Sequence, residues 1–314
     1  MAAEPRIVSL IASATEIVFA LEAQRWLVGR SHECDFPPEV RDLPVCTAPR
    51  FAVDGDSREI DRLVKQTLAS SLSVYEVFDD VLKRLQPTHI LTQIQCEVCA
   101  VSLRDVERSV APRLASRPMV VSLQPYSLDD VWQDIGRVAQ ALDLAERGEQ
   151  VVFGLRRRMD QIAQAAHSTA ARPRVACIEW MDPLMPAAHW MPSLTARAGG
   201  EPLVWRTWEE LAAAAPQVIV VMPCGWGLER ACADMHYLSA RPGWSALPAV
   251  RDSRVYVADG NQYFNRPGPR LVESLQILAE ILHPESVPAL FRGTAWRVFD
   301  HRTPLAAAGR ETIE

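Results

Sequence analysis

Short apolar runs alternate with helical patterns along most of this 314-residue chain, and this alternation limits the folds open to it. Helical spacing of apolar residues marks segments such as 73–86 and 271–282. Strands that are apolar throughout and separated by helices are typical of parallel sheets covered on both faces. The sequence therefore predicts an α/β fold, with strands at 6–11, 26–31, 89–93, 119–123, 174–180, 218–223 and 254–260.

The stretch 127–167 differs from the rest because it carries no strand pattern. Ser127 followed by Asp130 resembles a capping box, and apolar residues recur at helical spacing after it. We expect a long helix here, broken near Gly148, that joins two Rossmann-like lobes as a rigid connection. The predicted segments are an N-terminal α/β lobe at 1–125, the connecting helix at 126–170, a C-terminal α/β lobe at 171–290 and a C-terminal tail at 291–314.

Charge, cysteine count and the N-terminal residues exclude several classes of protein. The net charge of -6 provides no basic field for nucleic acid or an anionic membrane. Seven scattered cysteines fit a reducing compartment better than a secreted disulfide framework. Ser13, Thr15 and Glu16 interrupt the apolar start of the chain, which therefore does not read as a signal peptide. We expect no nucleic-acid partner, no transmembrane segment and a cytoplasmic location.

The loops that follow the predicted strands are long and rich in Cys, His, Trp, Pro and Gly. In an open α/β sheet, ligands bind beyond the carboxyl ends of the strands, and long loops there are often functional. We therefore expect a small-molecule site in a cleft between the lobes. The segments that would line it are 13–15, 31–38, 94–102, 179–190, 223–230 and 259–270.

Cys96 and Cys99 form a C-x-x-C pair in the loop after the third strand. With Cys34, Cys224 and a histidine they would suit a zinc, iron or iron–sulfur site. A redox dithiol is an alternative, and so are small side chains that only line the loop. A single C-x-x-C does not decide between these three interpretations.

The remaining candidates are polar or aromatic residues in the same loops. His32 and His189 are candidates for contact with a metal or a ligand amide, and the tryptophans offer flat apolar walls for a planar ligand. Arg266, just before a helix start, is a candidate for binding an anionic group. The predicted ligand-binding residues are Ser13, Thr15, His32, Glu179, Trp180, His189, Trp190, Trp226, Tyr263, Phe264 and Arg266, and the predicted metal ligands are Cys34, Cys96, Cys99 and Cys224.

No hydrolase elbow, phosphate loop or dinucleotide-binding fingerprint occurs, so we predict no catalytic residues. Several longer motifs resemble those of the class III substrate-binding proteins, the cobalamin and iron-siderophore binding family of ABC importers. They are "RIVSLIASATEIVFALEA" (6–23), "SHECDFP" (31–37), "TQIQCEVCAVS" (92–102), "CIEW" (177–180), "AHWMPSLTARAGG" (188–200), "VVMPCGWGLER" (220–230) and "DGNQYFNRPGPRLVE" (259–273). The resemblance covers residues 5–285, and within the family it is most specific to a subfamily of signal-less cobalamin-binding proteins.

This resemblance implies a binding protein rather than an enzyme. The implied ligand is a corrinoid such as cobalamin, or another metal chelate, held between two lobes that a rigid helix joins. The implied partner is an ABC permease, with a role in uptake or in intracellular handling of the ligand. The alternative is a cytoplasmic metalloprotein or thiol enzyme that uses the Cys and His residues of the same cleft.

Overall fold

The apolar runs of the sequence form the buried strands of two sheets in the computed structural model, which describes residues 4–70, 73–94, 106, 114–168 and 171–300. Each sheet lies in its own compact unit. The first unit spans Met1–Met159 and Arg266–Val272, and the second spans Asp160–Asn265 and Glu273–Glu314. The predicted α/β class with two parallel-sheet lobes is confirmed. Cys96 and Cys99 lie outside the described residues.

The first unit is built on a four-stranded parallel sheet in the order β2-β1-β5-β6. The central strands are buried because helices cover the sheet, as the apolar sequence predicted. A short antiparallel pair, β3-β4, stands beside it. The elements are β1 Ile7–Ser9, α1 Ala12–Ala20, β2 Leu27–Arg30, β3 Thr47–Pro49, α2 Ser57–Ala69, β4 Tyr75–Val77, α3 Asp79–Leu85, β5 His89–Gln93, β6 Met119–Leu123, α4 Leu128–Ala141 and α5 Ala145–Ala166, which also contributes residues to the second unit.

The second unit contains a mixed sheet in the order β12-β11-β10-β7-β8, and β9 also pairs with β7. Its centre, β7, β10 and β11, is parallel, and the outer strands β8 and β12 are antiparallel to their neighbours. The elements are β7 Arg174–Met181, β8 Leu184–Pro186, α6 Met191–Arg197, β9 Glu201–Pro202, α7 Trp208–Ala213, β10 Val218–Val221, α8 Leu228–Ala233, α9 His236–Ser239, α10 Pro248–Arg251, β11 Val255–Ala258, α11 Leu271–Leu282 and β12 Trp296–Val298.

The helical stretch in the middle of the chain is two helices, α4 and α5, with the break at 142–144 and not near Gly148. Ser127 caps α4 by accepting a hydrogen bond from the backbone N–H of Asp130, as the sequence predicted. Asp143 takes a φ of 57°, which ends the first helix. Gly148 lies inside α5, where an added Cβ would be 2.5 Å from the Cβ of Ala139. This glycine therefore serves close packing of α5 on α4.

The prediction of one helix over 73–86 is wrong in its first half. Tyr75–Val77 is strand β4, which pairs with β3, and the helix begins only at Asp79. Tyr75 and Val77 carry side chain types that favour strands, and pairing with a strand far earlier in the chain outweighs the local helical spacing.

Part of the predicted C-terminal tail belongs to the second sheet. The carboxylate of Glu280 is buried and accepts hydrogen bonds from the backbone N–H groups of Leu290 (2.9 Å) and Phe291 (3.1 Å) and from Trp296 Nε1 (2.9 Å). A buried carboxylate needs such donors. Through these bonds Glu280 holds the segment that leads into β12 at the edge of the sheet.

Two glycines of α5 form a matched test of this packing. We expect Gly148→Ala to lower the free energy of unfolding by about 1–2 kcal/mol, because the new methyl group overlaps Ala139. Gly154 has nothing within 4 Å of an added Cβ, and we expect Gly154→Ala to raise the free energy of unfolding by about 0.5–1 kcal/mol. Denaturant unfolding of the two variants and the wild type measures both changes in the free energy of unfolding. A Gly148→Ala protein as stable as Gly154→Ala would contradict the close contact.

Candidate functional site

Four predicted residues of the first unit lie in the segments that follow β1 and β2. Ser13 and Thr15 are in the first turn of α1, and His32 and Cys34 follow β2. Thr15 Oγ1 donates a hydrogen bond to Cys34 Sγ across 3.0 Å, so the two segments are in direct contact. The structure thus brings these predicted residues together.

Cys34 does not have the environment that a metal-binding or redox thiolate needs. Its side chain is wholly buried, and burial raises the pKa of the Cys34 thiol to about 11. A reactive or ligating cysteine is a thiolate, which an electropositive and partly open setting favours. Cys34 is therefore a protonated thiol in the packing between the loops.

His32 is held in one orientation by its neighbours. Thr47 Oγ1 lies 2.8 Å from His32 Nδ1 and also accepts the backbone N–H of His32 at 3.1 Å. The ring lies against Tyr75, with the ring centroids 5.2 Å apart. Burial, assisted by the nearby charge of Arg30, lowers the pKa of His32 to about 4, so the imidazole is neutral at neutral pH.

Arg266 has carboxylate partners within the first unit. Its guanidinium is buried and lies 2.6 Å from Asp35 Oδ1 and 3.5 Å from Glu16 Oε1. Arg270 Nη1 is 3.7 Å from the same oxygen of Glu16. The guanidinium carbon of Arg270 lies 3.9 Å from the centroid of the Phe36 ring. The charge of Arg266 is thus compensated by the chain itself, which differs from the predicted contact with an anionic group of a ligand.

Glu16 is the member of this group that the sequence analysis missed. It entered that analysis only as an interruption of an apolar run, yet the helix around it is almost entirely buried. Among the described residues no group hydrogen-bonds its Oε2, and Ser13 Oγ is equally unsatisfied. Burial raises the pKa of Glu16 to about 7 against the opposing effect of Arg266 and Arg270, and Asp35 adds to the rise.

The predicted residues of the second unit lie at the carboxyl ends of β7, β10 and β11. The backbone N–H of Cys224, after β10, donates to the carbonyl of Glu179 in β7 at 3.2 Å. The rings of Trp180 and Trp226 are 5.0 Å apart and inclined by 53°. The guanidinium carbon of Arg230 lies 4.2 Å from the centroid of the Trp226 ring. Burial raises the pKa of the half-buried Glu179 carboxyl. This part of the site combines aromatic rings with one carboxyl group.

Trp190 and Phe264 have packing roles instead. Phe264 is wholly buried, and Trp190 is buried and donates its Nε1–H to the carbonyl of Phe264 at 3.0 Å. Tyr263 is half-buried and packs edge-on against Phe291, with centroids 5.6 Å apart. His189 is exposed, and its φ of 57° places it in a tight turn. Of these four, His189 and Tyr263 present side chains to solvent.

Within the part of the chain that the structure describes, no group of three or more His, Cys, Asp or Glu residues is arranged to hold a metal ion. Cys34 and Cys224 belong to different units. The metal-site prediction for Cys96 and Cys99 falls outside the described residues and stays a prediction. Over the same described part, no helix combines the length and apolar character that crossing a bilayer requires.

The titration of Glu16 predicts a pH dependence of stability. The folded protein holds the Glu16 proton more tightly than the unfolded chain does, so the free energy of unfolding decreases as the pH rises from about 4.5 through about 7. Glu16→Gln removes this titration. We expect the wild type to lose up to about 3 kcal/mol relative to the variant across that window.

Denaturant unfolding at several pH values measures this difference. Asp35, Arg266 and Arg270 are unchanged in the variant, so Glu16 alone accounts for it. The exposed Glu39→Gln serves as the matched control and should keep the slope of the wild type. A Glu16→Gln protein with that same slope would contradict the raised pKa.

Comparison with known proteins agrees with this architecture. The sequence pattern of a family described as "Periplasmic binding protein" matches residues 7–261. No curated protein matches the chain. Among solved structures, the apo periplasmic heme-binding protein RhuT from Roseiflexus sp. RS-1 is similar, with a TM-score of 0.65, 25% identity and coverage of 90% of this chain and 99% of that one.

Two further structures share the fold. A periplasmic heme-binding protein from Pseudomonas aeruginosa has a TM-score of 0.69 and 20% identity, with 96% and 100% of the two chains covered. The periplasmic vitamin B12-binding protein BtuF of Vibrio cholerae has a TM-score of 0.59 and 18% identity, with 88% and 96% covered. These values establish the shared fold.

The family consists of ligand-binding proteins that work with ABC permeases, and not of enzymes. The predicted binding role is therefore confirmed. Because the match spans most of the sequence, this chain belongs to the periplasmic binding protein family, in the class III branch whose motifs it resembles.

Proposed function

We propose that this protein binds a metal-bearing tetrapyrrole, either a cobalamin-like corrinoid or a heme, and presents it to an ABC permease. The observation that carries the proposal is the Trp180–Trp226 pair at the carboxyl end of the second sheet. The similar proteins of known structure include binders of heme and of vitamin B12, which supports the same ligand class.

The aromatic pair suits a large planar ligand for physical reasons. Trp226 is buried, and Trp180 is partly exposed and rests against it. A supported indole offers a rigid apolar face, and stacking on such a face orders few side chain rotors. Arg230 lies over Trp226, so the pair is also braced by a guanidinium. A macrocycle gains affinity from such a wall without needing many hydrogen bonds.

Glu179, which precedes Trp180 in β7, and His189, which lies between β8 and α6, are further polar groups of the second unit. Burial raises the pKa of the Glu179 carboxyl, which favours its neutral form. His189 is exposed, yet partial desolvation of its ring lowers its pKa and favours the neutral imidazole. Neutral donors and acceptors match the amide and propionic acid side chains that corrinoids and hemes carry.

The proposal is tested by titrating the purified full chain with ferric protoporphyrin IX and with aquocobalamin, followed by tryptophan fluorescence and visible absorption. We expect one of these ligands to bind, and we expect Trp180→Ala to weaken its binding about tenfold through loss of the stacking face. Phe153→Ala removes an aromatic ring that is 70% exposed and should leave binding unchanged.

Absence of binding by the wild type to both ligands would overturn the proposed ligand class. Equal losses in the Trp180 and Phe153 variants would show that the tryptophan pair is not the binding surface. The cytoplasmic location stays a prediction, and cell fractionation tests it together with the permease partner.

A further inference from the structure

We infer that the exposed side of α5 pairs with the same side of a second copy of this chain, in an antiparallel two-fold contact. The side chains concerned, which form the α5 stripe, are Glu146, Glu149, Phe153, Arg156 and Arg157. All five belong to the first unit. The contact goes beyond the proposed function because it involves no ligand.

The α5 stripe faces solvent along one side of the helix. Glu149 lies four residues before Phe153 and Arg157 lies four residues after it, and side chains at this spacing project from the same face. All members of the stripe are exposed, whereas Leu155 and Met159, on the opposite side of the helix, are buried. The stripe is therefore the outer face of an amphipathic helix.

An aromatic ring stands in the middle of this polar face. The Phe153 side chain is 70% exposed, and an added Cβ at the adjacent Gly154 would have nothing within 4 Å. A lone exposed apolar residue is common on protein surfaces. A helix laid antiparallel across this point brings the two Phe153 rings together and removes both from water.

The charges of the stripe are divided by sign on either side of Phe153. Glu146 and Glu149 precede it, and Arg156 and Arg157 follow it. The helix dipole does not explain the arginines, because its effect is confined to the last turn and α5 continues for more than two turns beyond them. The described residues provide no ion pair for Glu146, Glu149 or Arg157.

This division of charge makes the stripe complementary to itself. A two-fold axis near Phe153 places Glu149 opposite Arg156 of the second copy and Glu146 opposite Arg157, and the symmetry repeats both pairs. A parallel arrangement would place like charges together. An anionic membrane would attract the arginines and repel the glutamates of the same stripe. The stripe therefore fits an antiparallel copy of itself.

Arg156 can join this contact without losing its partner within the chain. Its Nη2 lies 3.2 Å from Asp129 Oδ1, and both side chains are largely exposed. A guanidinium has five N–H donors, so it can bond a second carboxylate at the same time.

The size of the stripe limits the affinity of the contact. The helix from Glu146 to Arg157 is about 18 Å long, which provides less area than the roughly 800 Å² per partner of a standard interface. Exposed ion pairs add little each. We therefore expect a reversible dimer with a Kd on the order of 10–100 µM.

Sedimentation velocity of the full chain, over concentrations that span this Kd, tests the contact with two charge-reversed variants. Glu146→Arg/Glu149→Arg and Arg156→Glu/Arg157→Glu each place like charges across the two-fold axis, and we expect each to weaken the dimer at least about tenfold. An equimolar mixture of the two variants places opposite charges together again. We expect that mixture to dimerise about as strongly as the wild type.

Two further variants separate the stripe from general effects. Glu39→Arg/Glu285→Arg changes the net charge by the same amount as Glu146→Arg/Glu149→Arg at exposed positions outside the stripe, and it should dimerise like the wild type. Phe153→Ala should weaken the dimer about tenfold through loss of the buried ring.

A wild-type chain that stays monomeric throughout would overturn the inference. So would a mixture of the charge-reversed variants that does not dimerise, because the antiparallel arrangement requires it to. Sedimentation of a monomeric wild type with phosphatidylglycerol vesicles would assign the stripe to a membrane surface and also overturn the self-pairing. Tetrapyrrole binding is measured separately, so the proposed function stands or fails independently of these results.

Discussion

The first unit depends on how one buried guanidinium is neutralised. Removing an ion from water costs several kcal/mol, so Arg266 is stable in its buried place only beside Asp35 and Glu16. These partners precede it by 231 and 250 residues, so the cluster joins the segment Arg266–Val272 to the start of the chain. We infer that its main effect is to select one arrangement of this segment, since buried ion pairs add little net stability.

Residues at the start of α1 belong both to this charged cluster and to the contact between the segments that follow β1 and β2. Two opposing effects act on the pKa of Glu16. Burial of its charge raises the pKa, the two arginines lower it, and the effect of burial is larger. Thr15, the preceding residue of the helix, contacts Cys34. The loops after β1 and β2 are thus fixed by packing and hydrogen bonds before any ligand arrives, which is the condition for a preorganised site.

Each unit carries its candidate binding residues at the carboxyl ends of parallel strands. His32 follows β2 in the first unit; in the second, Trp180 lies near the end of β7 and Trp226 follows β10. An aromatic face contributes affinity with little directional demand, whereas the ring of His32 is held in one orientation by Thr47 and Tyr75.

The pattern of apolar residues by itself determined seven of the strands, because burial on both faces requires runs that are apolar throughout; they are β1, β2, β5, β6, β7, β10 and β11. It also determined α4, whose cap and buried stripe are local in sequence. The loops that carry the candidate binding residues were also predictable from sequence, because ligands of open α/β sheets bind beyond the carboxyl ends of the strands. Family membership was accessible for the same reason, since its motifs are contiguous.

Only the tertiary structure decided the roles of single residues. Tyr75 is in a strand because of its pairing with β3, and Gly148 is in a helix because another helix approaches it. Arg266 has carboxylate partners more than 200 residues away, and Cys34 is a protonated thiol because the surrounding loops bury it. Local sequence determines what a segment prefers, whereas burial and charge compensation depend on neighbours that only the folded chain brings together.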